Sequence, residues 1–189
     1  MKKYVLVIVT LLFVQLSFAQ KTDIRLNRSM SDQGGLCYDA ELNYTGEEAS
    51  LASQNYRLFY DASELRFDEE HSHLTITSED YSFNVVQQNH GIDASGIGAL
   101  PFEKDLGFIN ATVLFKDTRL DGQLLKEGQG WTSIVRFCFE PTGEEGNGQV
   151  ILARKDLTAS YGRAFVELSI VDQSDAIASL PIETYIDIK

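Results

Sequence analysis

Apolar side chains recur at every second position along this chain, and no stretch sustains a helical period. In 36–44, Leu36, Tyr38, Ala40, Leu42 and Tyr44 alternate with Cys37, Asp39, Glu41 and Asn43. That pattern belongs to a strand with one buried face. Tyr56, Leu58 and Tyr60 share a face of 55–60. In 108–115 both alternating sets carry apolar residues, as expected of a central strand. In 131–139 Trp131, Val135, Phe137 and Phe139 point one way, and Thr132, Ile134, Arg136 and Cys138 the other. Ile182, Thr184, Ile186 and Ile188 alternate in a closing strand, and shorter β-prone runs lie at 74–76, 81–86, 149–153 and 165–171. Turn chemistry separates them, at Gly46-Glu47-Glu48, Asp61-Ala62-Ser63, 117–122 and 143–148. The polar, Gly-rich stretch 87–107 reads as an exposed loop. These signals predict an all-β fold, an antiparallel two-sheet β-sandwich.

The first residues are of another kind. Lys2 and Lys3 precede an apolar run over 4–18, which ends on small residues around Ala19. That is the pattern of a secretory signal peptide over 1–19, cleaved near Ala19, with 20–189 as a single domain. The mature chain is expected to be secreted, periplasmic or on the cell surface. Gln20 rather than Cys follows the cleavage point, so no lipid anchor is expected. No later apolar run approaches the roughly 20 residues of a transmembrane helix, so no transmembrane anchor is expected either. Removal of Lys2 and Lys3 leaves 14 basic against 28 acidic side chains, a net charge of −14. Such a balance excludes nucleic acid as a partner, because phosphate contacts need a basic footprint. Two cysteines remain, Cys37 and Cys138. Export permits a disulfide between them; the alternative is two unrelated buried thiols.

No residue set assembles a catalytic site, and the chain is expected not to be an enzyme. His71 and His73 would share a strand face beside Glu69, but solvated edge residues explain them better than metal ligands. Asp117 and Asp121 make an acidic turn, and Asp172 and Asp175 a second pair. Calcium is the one ion such turns could hold, and no other cofactor is expected. His90 beside Asp93-Ala94-Ser95-Gly96 lacks the strand–elbow–helix setting of a nucleophile, and Glu144 and Glu145 are adjacent in a turn rather than facing across a substrate. Trp131, Tyr56, Tyr60 and Phe137 fall on core-facing patterns. Phe59, Tyr81 and Tyr161 are the aromatic residues left as candidates for exposed ligand-binding rings.

The stretch Tyr56-Arg57-Leu58-Phe59-Tyr60-Asp61-Ala62-Ser63-Glu64-Leu65 resembles a strand, Tyr-Asp, turn, Leu signature of cohesin domains. The strand 109–117, the turn Lys126-Glu127-Gly128, the strand 131–139 and the turn 143–148 follow in the cohesin order, with Glu127 where that family commonly has Asp. The resemblance covers roughly 36–172. It implies a nine-stranded jelly-roll sandwich, close in fold to some carbohydrate-binding modules, that binds dockerin domains through one face and catalyses nothing. It also implies that the strands of Cys37 and Cys138 are neighbours, so that a cross-strand disulfide can form. The signal segment and the Tyr-Arg-Leu-Phe-Tyr-Asp phrase further resemble small exported proteins of Bacteroidetes. The expected function is that of an exported non-catalytic binding module for a protein partner at the cell envelope or surface. The alternative is a carbohydrate-binding module that recognises a polysaccharide.

Overall fold

The computed structural model describes residues 20–30, 35–76, 80–88, 105–116, 122–143, 148–153 and 166–187. Within them the chain forms twelve strands and no helix: β1 (Lys21–Met30), β2 (Leu36–Thr45), β3 (Ala49–Asp61), β4 (Leu65–Leu74), β5 (Tyr81–Gln88), β6 (Leu106–Phe115), β7 (Leu124–Leu125), β8 (Trp131–Pro141), β9 (Val150–Leu152), β10 (Glu167–Val171), β11 (Ile177–Ser179) and β12 (Ile182–Asp187). Nine of them are five residues or longer. The first sheet has the order β12-β1-β2-β8-β4. The second has β11-β10-β3-β6-β5, with β7 and β9 also paired to β3.

The alternating pattern of β2 places Leu36, Tyr38, Ala40, Leu42 and Tyr44 in the space between the sheets, where Tyr56, Leu58 and Tyr60 of β3 and Ile109, Ala111 and Val113 of β6 meet them. Aromatic rings fill the centre. Phe139 of β8 lies 5.3 Å from Tyr60 across the core, 5.9 Å from Tyr38 and 5.6 Å from Phe67. Phe137 meets Tyr56 at 6.0 Å. Tilted and edge-on rings of this kind add to simple burial. Gln54, a fully buried polar side chain of β3, is satisfied by its neighbours. Its amide donates to Ala52 O at 3.1 Å and its oxygen accepts from the Tyr56 hydroxyl at 2.9 Å.

The structure departs from the sequence reading in several places. The strand β1 was not expected; its Ile24 and Leu26 are buried in the core, but a mere two large apolar residues alternate there with charged ones. Both ends of the stretch expected as a loop over 87–107 are strand instead, since β5 runs to Gln88 and β6 starts at Leu106. The closing strand β12 pairs in parallel with β1, an exception to the antiparallel rule. A register shift between Thr22 and Asp23 lets Ile182 and Tyr185 pack on the core, while Ile186 lies opposite Arg25 and faces outward. The expected signal segment 1–19, residues 89–104 of the expected loop, residues 144–147 of the expected turn and Ile188 lie outside the described residues.

Two consequences of this packing can be measured. Gly107 lies opposite Tyr60, and a Cβ there would sit 2.2 Å from the ring. Because Tyr60 is fully buried and its ring cannot swing away, Gly107→Ala is expected to cost about 2–3 kcal/mol in urea unfolding. Burial also pushes the Tyr60 phenol up from 10.0 to about 12, with Asp105 adding to the effect. Unfolding frees a phenol that ionises more readily than the folded one. Its contribution to stability is therefore complete below pH 10 and lost as pH rises toward 12. Urea midpoints recorded across that window should fall, and Tyr60→Phe should flatten the fall.

Candidate binding faces

The register that sends one set of side chains inward sends the other to two outer faces, and these differ in kind. On the first sheet, Cys37 is directly opposite Cys138 and Asp39 opposite Arg136. The cysteines form a disulfide, with Cα atoms 4.1 Å apart and a sequence separation of 101. Arg136 grips Asp39 with two bonds, Nε to Oδ1 at 2.7 Å and a terminal nitrogen to Oδ2 at 2.8 Å. Glu41 accepts from Arg25 at 2.6 Å and from Asn27 at 3.1 Å. Asp39 and Glu41 thus lie on an outer face yet are buried under their own partners. Forked arginine–carboxylate pairs of this type are the strong ones.

Trp131 belongs to this layer and not to the core, contrary to its place in the alternation. Ala40 pairs with Val135 but Glu41 pairs with Ser133, so β8 carries one extra residue there. Ile134 and Val135 are both fully buried. Beyond this bulge the faces exchange, as a one-residue slip must cause. Trp131 is then opposite Asn43, with the Arg25 guanidinium 4.2 Å above its ring.

The far edge of the same sheet carries both histidines. Between Asp68, opposite Cys138, and His73, opposite Arg136, four residues of β4 bulge against one of β8. The Asp68 carboxylate holds the bulge by accepting from the His71 backbone N–H at 3.2 Å and contacting its Nδ1 at 2.6 Å. The Ser72 hydroxyl accepts the Cys138 N–H at 2.9 Å and donates to Asp68 O at 2.6 Å. His73 Nδ1 meets the His71 carbonyl at 2.9 Å. Among the described residues no three metal-ligating side chains converge. Asp117 and Asp121, the calcium candidates, lie outside the described residues. Asp172, the other acidic candidate, accepts the N–H groups of Ser174 at 2.8 Å and Ala176 at 3.1 Å. These bonds and that of the Ser174 hydroxyl hold its carboxyl below the usual range.

The second sheet presents a different outer surface. Asn55 and Arg57 of β3, Asn110, Thr112 and Leu114 of β6, and Ser82, Asn84 and Val86 of β5 alternate with core residues and so face out. Thr112 donates to Asn55 at 2.9 Å, and Arg57 pairs with Glu167 at 3.1 Å. Val86 is 67% and Leu114 44% exposed. Sequence reasoning missed this set, although every member occupies the out-facing positions of strongly alternating strands.

Neither of the two described aromatic candidates is exposed there. Phe59 does point to this outer side, but it is fully buried in a small cluster with Leu106, Phe108, Ile151 and Ala153, its ring 5.3 Å from Phe108. Tyr81 points into the sandwich. Its hydroxyl donates to Leu51 O at 2.6 Å and accepts the Gln123 N–H at 2.8 Å, tying β5 to β3 and to the chain before β7. The expectation that both rings are exposed is therefore corrected, and Tyr161 lies outside the described residues.

No protein-family model matches the sequence, and a search of curated proteins finds no relative. Solved structures do match. The sixth cohesin from the Acetivibrio cellulolyticus scaffoldin B, solved in complex with a Cel5 dockerin mutant, superposes with a TM-score of 0.50 at 10% identity, covering 88% of this chain and 96% of that one. A type II cohesin–X–dockerin complex from Acetivibrio cellulolyticus matches at 0.49 and 12% identity, covering 89% of this chain and 95% of that one. At such identities the likeness speaks to fold alone. The fold is a cohesin-like β-sandwich.

The ion pair under the first face can be weighed directly. Arg136→Met leaves Asp39 buried without its partner and is expected to cost about 2 kcal/mol in urea unfolding, less than a wholly buried pair because the arginine is partly exposed. Adding Asp39→Leu to that variant should recover most of the loss.

Proposed function

We propose that this chain is an exported, non-catalytic binding module that docks a protein partner on the outer face of the second sheet. The contrast between the two outer faces carries the reading. Apart from Ile186 on its edge strand β12, the first is closed by its own disulfide, forked ion pair and Arg–Trp stack. The second sets exposed Val86 and Leu114 among amide and hydroxyl side chains. Apolar contacts ringed by hydrogen-bonding groups are what protein interfaces use. The likeness to cohesins, which appear in the matched structures with dockerins, makes a dockerin-like module the first partner class to try. Export agrees with the signal pattern over 1–19 and with the disulfide. A polysaccharide reading lost its two described aromatic candidates when Phe59 and Tyr81 proved buried.

The test has two arms, a panel of purified dockerin modules with the organism's secreted proteins, and a glycan array. A protein captured in the first arm is titrated against variants by calorimetry. Leu114→Glu should weaken binding by at least about tenfold, as truncation of a central contact does, while Thr184→Glu on the first sheet leaves it unchanged. Retention of glycan without any protein, or binding indifferent to Leu114, would overturn the proposal.

A further inference from the structure

Sheet edges invite other strands, and among the described residues three of the four strands that end the two sheet orders are blunted. The β4 edge is bulged and carries Asp68, Glu69 and Glu70. The β11 edge is three residues long. The β12 edge carries Glu183 and Asp187. The strand β5 has no such device. Its sequence, Tyr81-Ser82-Phe83-Asn84-Val85-Val86-Gln87-Gln88, contains neither charge nor proline, in a chain of which 23% of residues are charged. It pairs with β6 along its whole length without a register shift, and among the described residues no strand pairs with its other side.

The hydrogen-bond phase of that free side can be read. Lys116 N–H donates to Asp80 O at 2.7 Å, which makes Asp80 and Lys116 a hydrogen-bonded pair. Antiparallel pairing then alternates. Ser82, Asn84 and Val86 direct their backbone groups to β6, and Tyr81, Phe83, Val85 and Gln87 direct theirs outward. We propose that this edge pairs with the same edge of a second copy, antiparallel about a two-fold axis at Asn84. Tyr81 then pairs with Gln87 of the other copy and Phe83 with Val85, all through outward-directed backbone groups. Asn84 faces its own equivalent, and the exposed Val86 meets Ser82.

Charge selects β5 as the edge a second copy can use. Isologous pairing sets each strand against itself, so the acidic side chains of β4 or β12 would oppose their equals, which is destabilising. The uncharged β5 avoids that cost. The whole chain carries a net −12, so two copies repel at long range. Added salt should therefore strengthen the dimer rather than weaken it.

The proposal does not depend on the docking reading, because self-association is measured with no partner present. Protein purified after expression of the full-length chain is analysed by sedimentation velocity over a range of concentrations. The wild type should show a monomer–dimer equilibrium that tightens with salt. Asn84→Lys and Asn84→Asp should each weaken dimerisation about fivefold, since each sets a like charge against itself at the axis. An equimolar mixture of the two should restore it, because the facing charges are then opposite. Asn84 is exposed, so circular dichroism and melting of both variants should match the wild type. A wild type that stays monomeric to millimolar concentration would overturn the proposal. So would a dimer indifferent to both substitutions, variants that the mixture fails to rescue, or capture of another protein's strand at this edge by a monomeric chain.

Discussion

The pairing of β2 with β8 sets everything else in this molecule. These strands lie at the middle of the first sheet, and one register serves three purposes at once. It places Tyr38 beside Phe137 and Leu36 beside Phe139, facing the core. It brings Cys37 onto Cys138. It brings Asp39 under Arg136. A slip of one residue would turn the aromatic rings to solvent, part the sulfurs and bury a carboxylate with no cation. Each interaction is thus bought only in the register that satisfies the other two, and such mutual support specifies a single structure.

From that register follows the division between the outer faces. On the first sheet the out-facing side chains spend their hydrogen-bonding capacity on one another: Glu41 on Arg25 and Asn27, Asp39 on Arg136, and the Ser72 hydroxyl on the Cys138 N–H. A face so occupied resists deformation. The second sheet is built on β3, whose thirteen residues carry β10, β6, β7 and β9. Its outer side keeps exposed apolar groups and amides. In the proposed reading, the first sheet acts as the brace and the second presents the docking surface.

The fold was readable because strands with one buried face announce themselves by strict alternation, as β2, β3 and β6 do. What the alternation could not reveal was where it breaks. The extra residue of β8 at Ile134 and Val135 leaves no mark in composition, yet it moves Trp131 from the core to the Arg25 stack. The shift between Thr22 and Asp23 similarly decides which residues of β12 meet the core. Facing and burial are also separate properties. Phe59 faces outward as its position in β3 dictates, but further apolar residues pack on it, and no local pattern reports such long-range cover. Leu114 and Val86 were hidden for the opposite reason, since an apolar residue among β-formers reads as core until its strand's inward set is known.

The disulfide gives this account its most direct test, since it can form only if the two central strands meet as described and the chain matures where thiols are oxidised. The purified protein, never exposed to reductant, would be denatured, treated with a thiol-alkylating reagent, digested and analysed by mass spectrometry. The account predicts a single linked peptide pair containing Cys37 and Cys138, with no alkylated thiol. Two alkylated cysteines, or a bond from either one to a second copy, would contradict it.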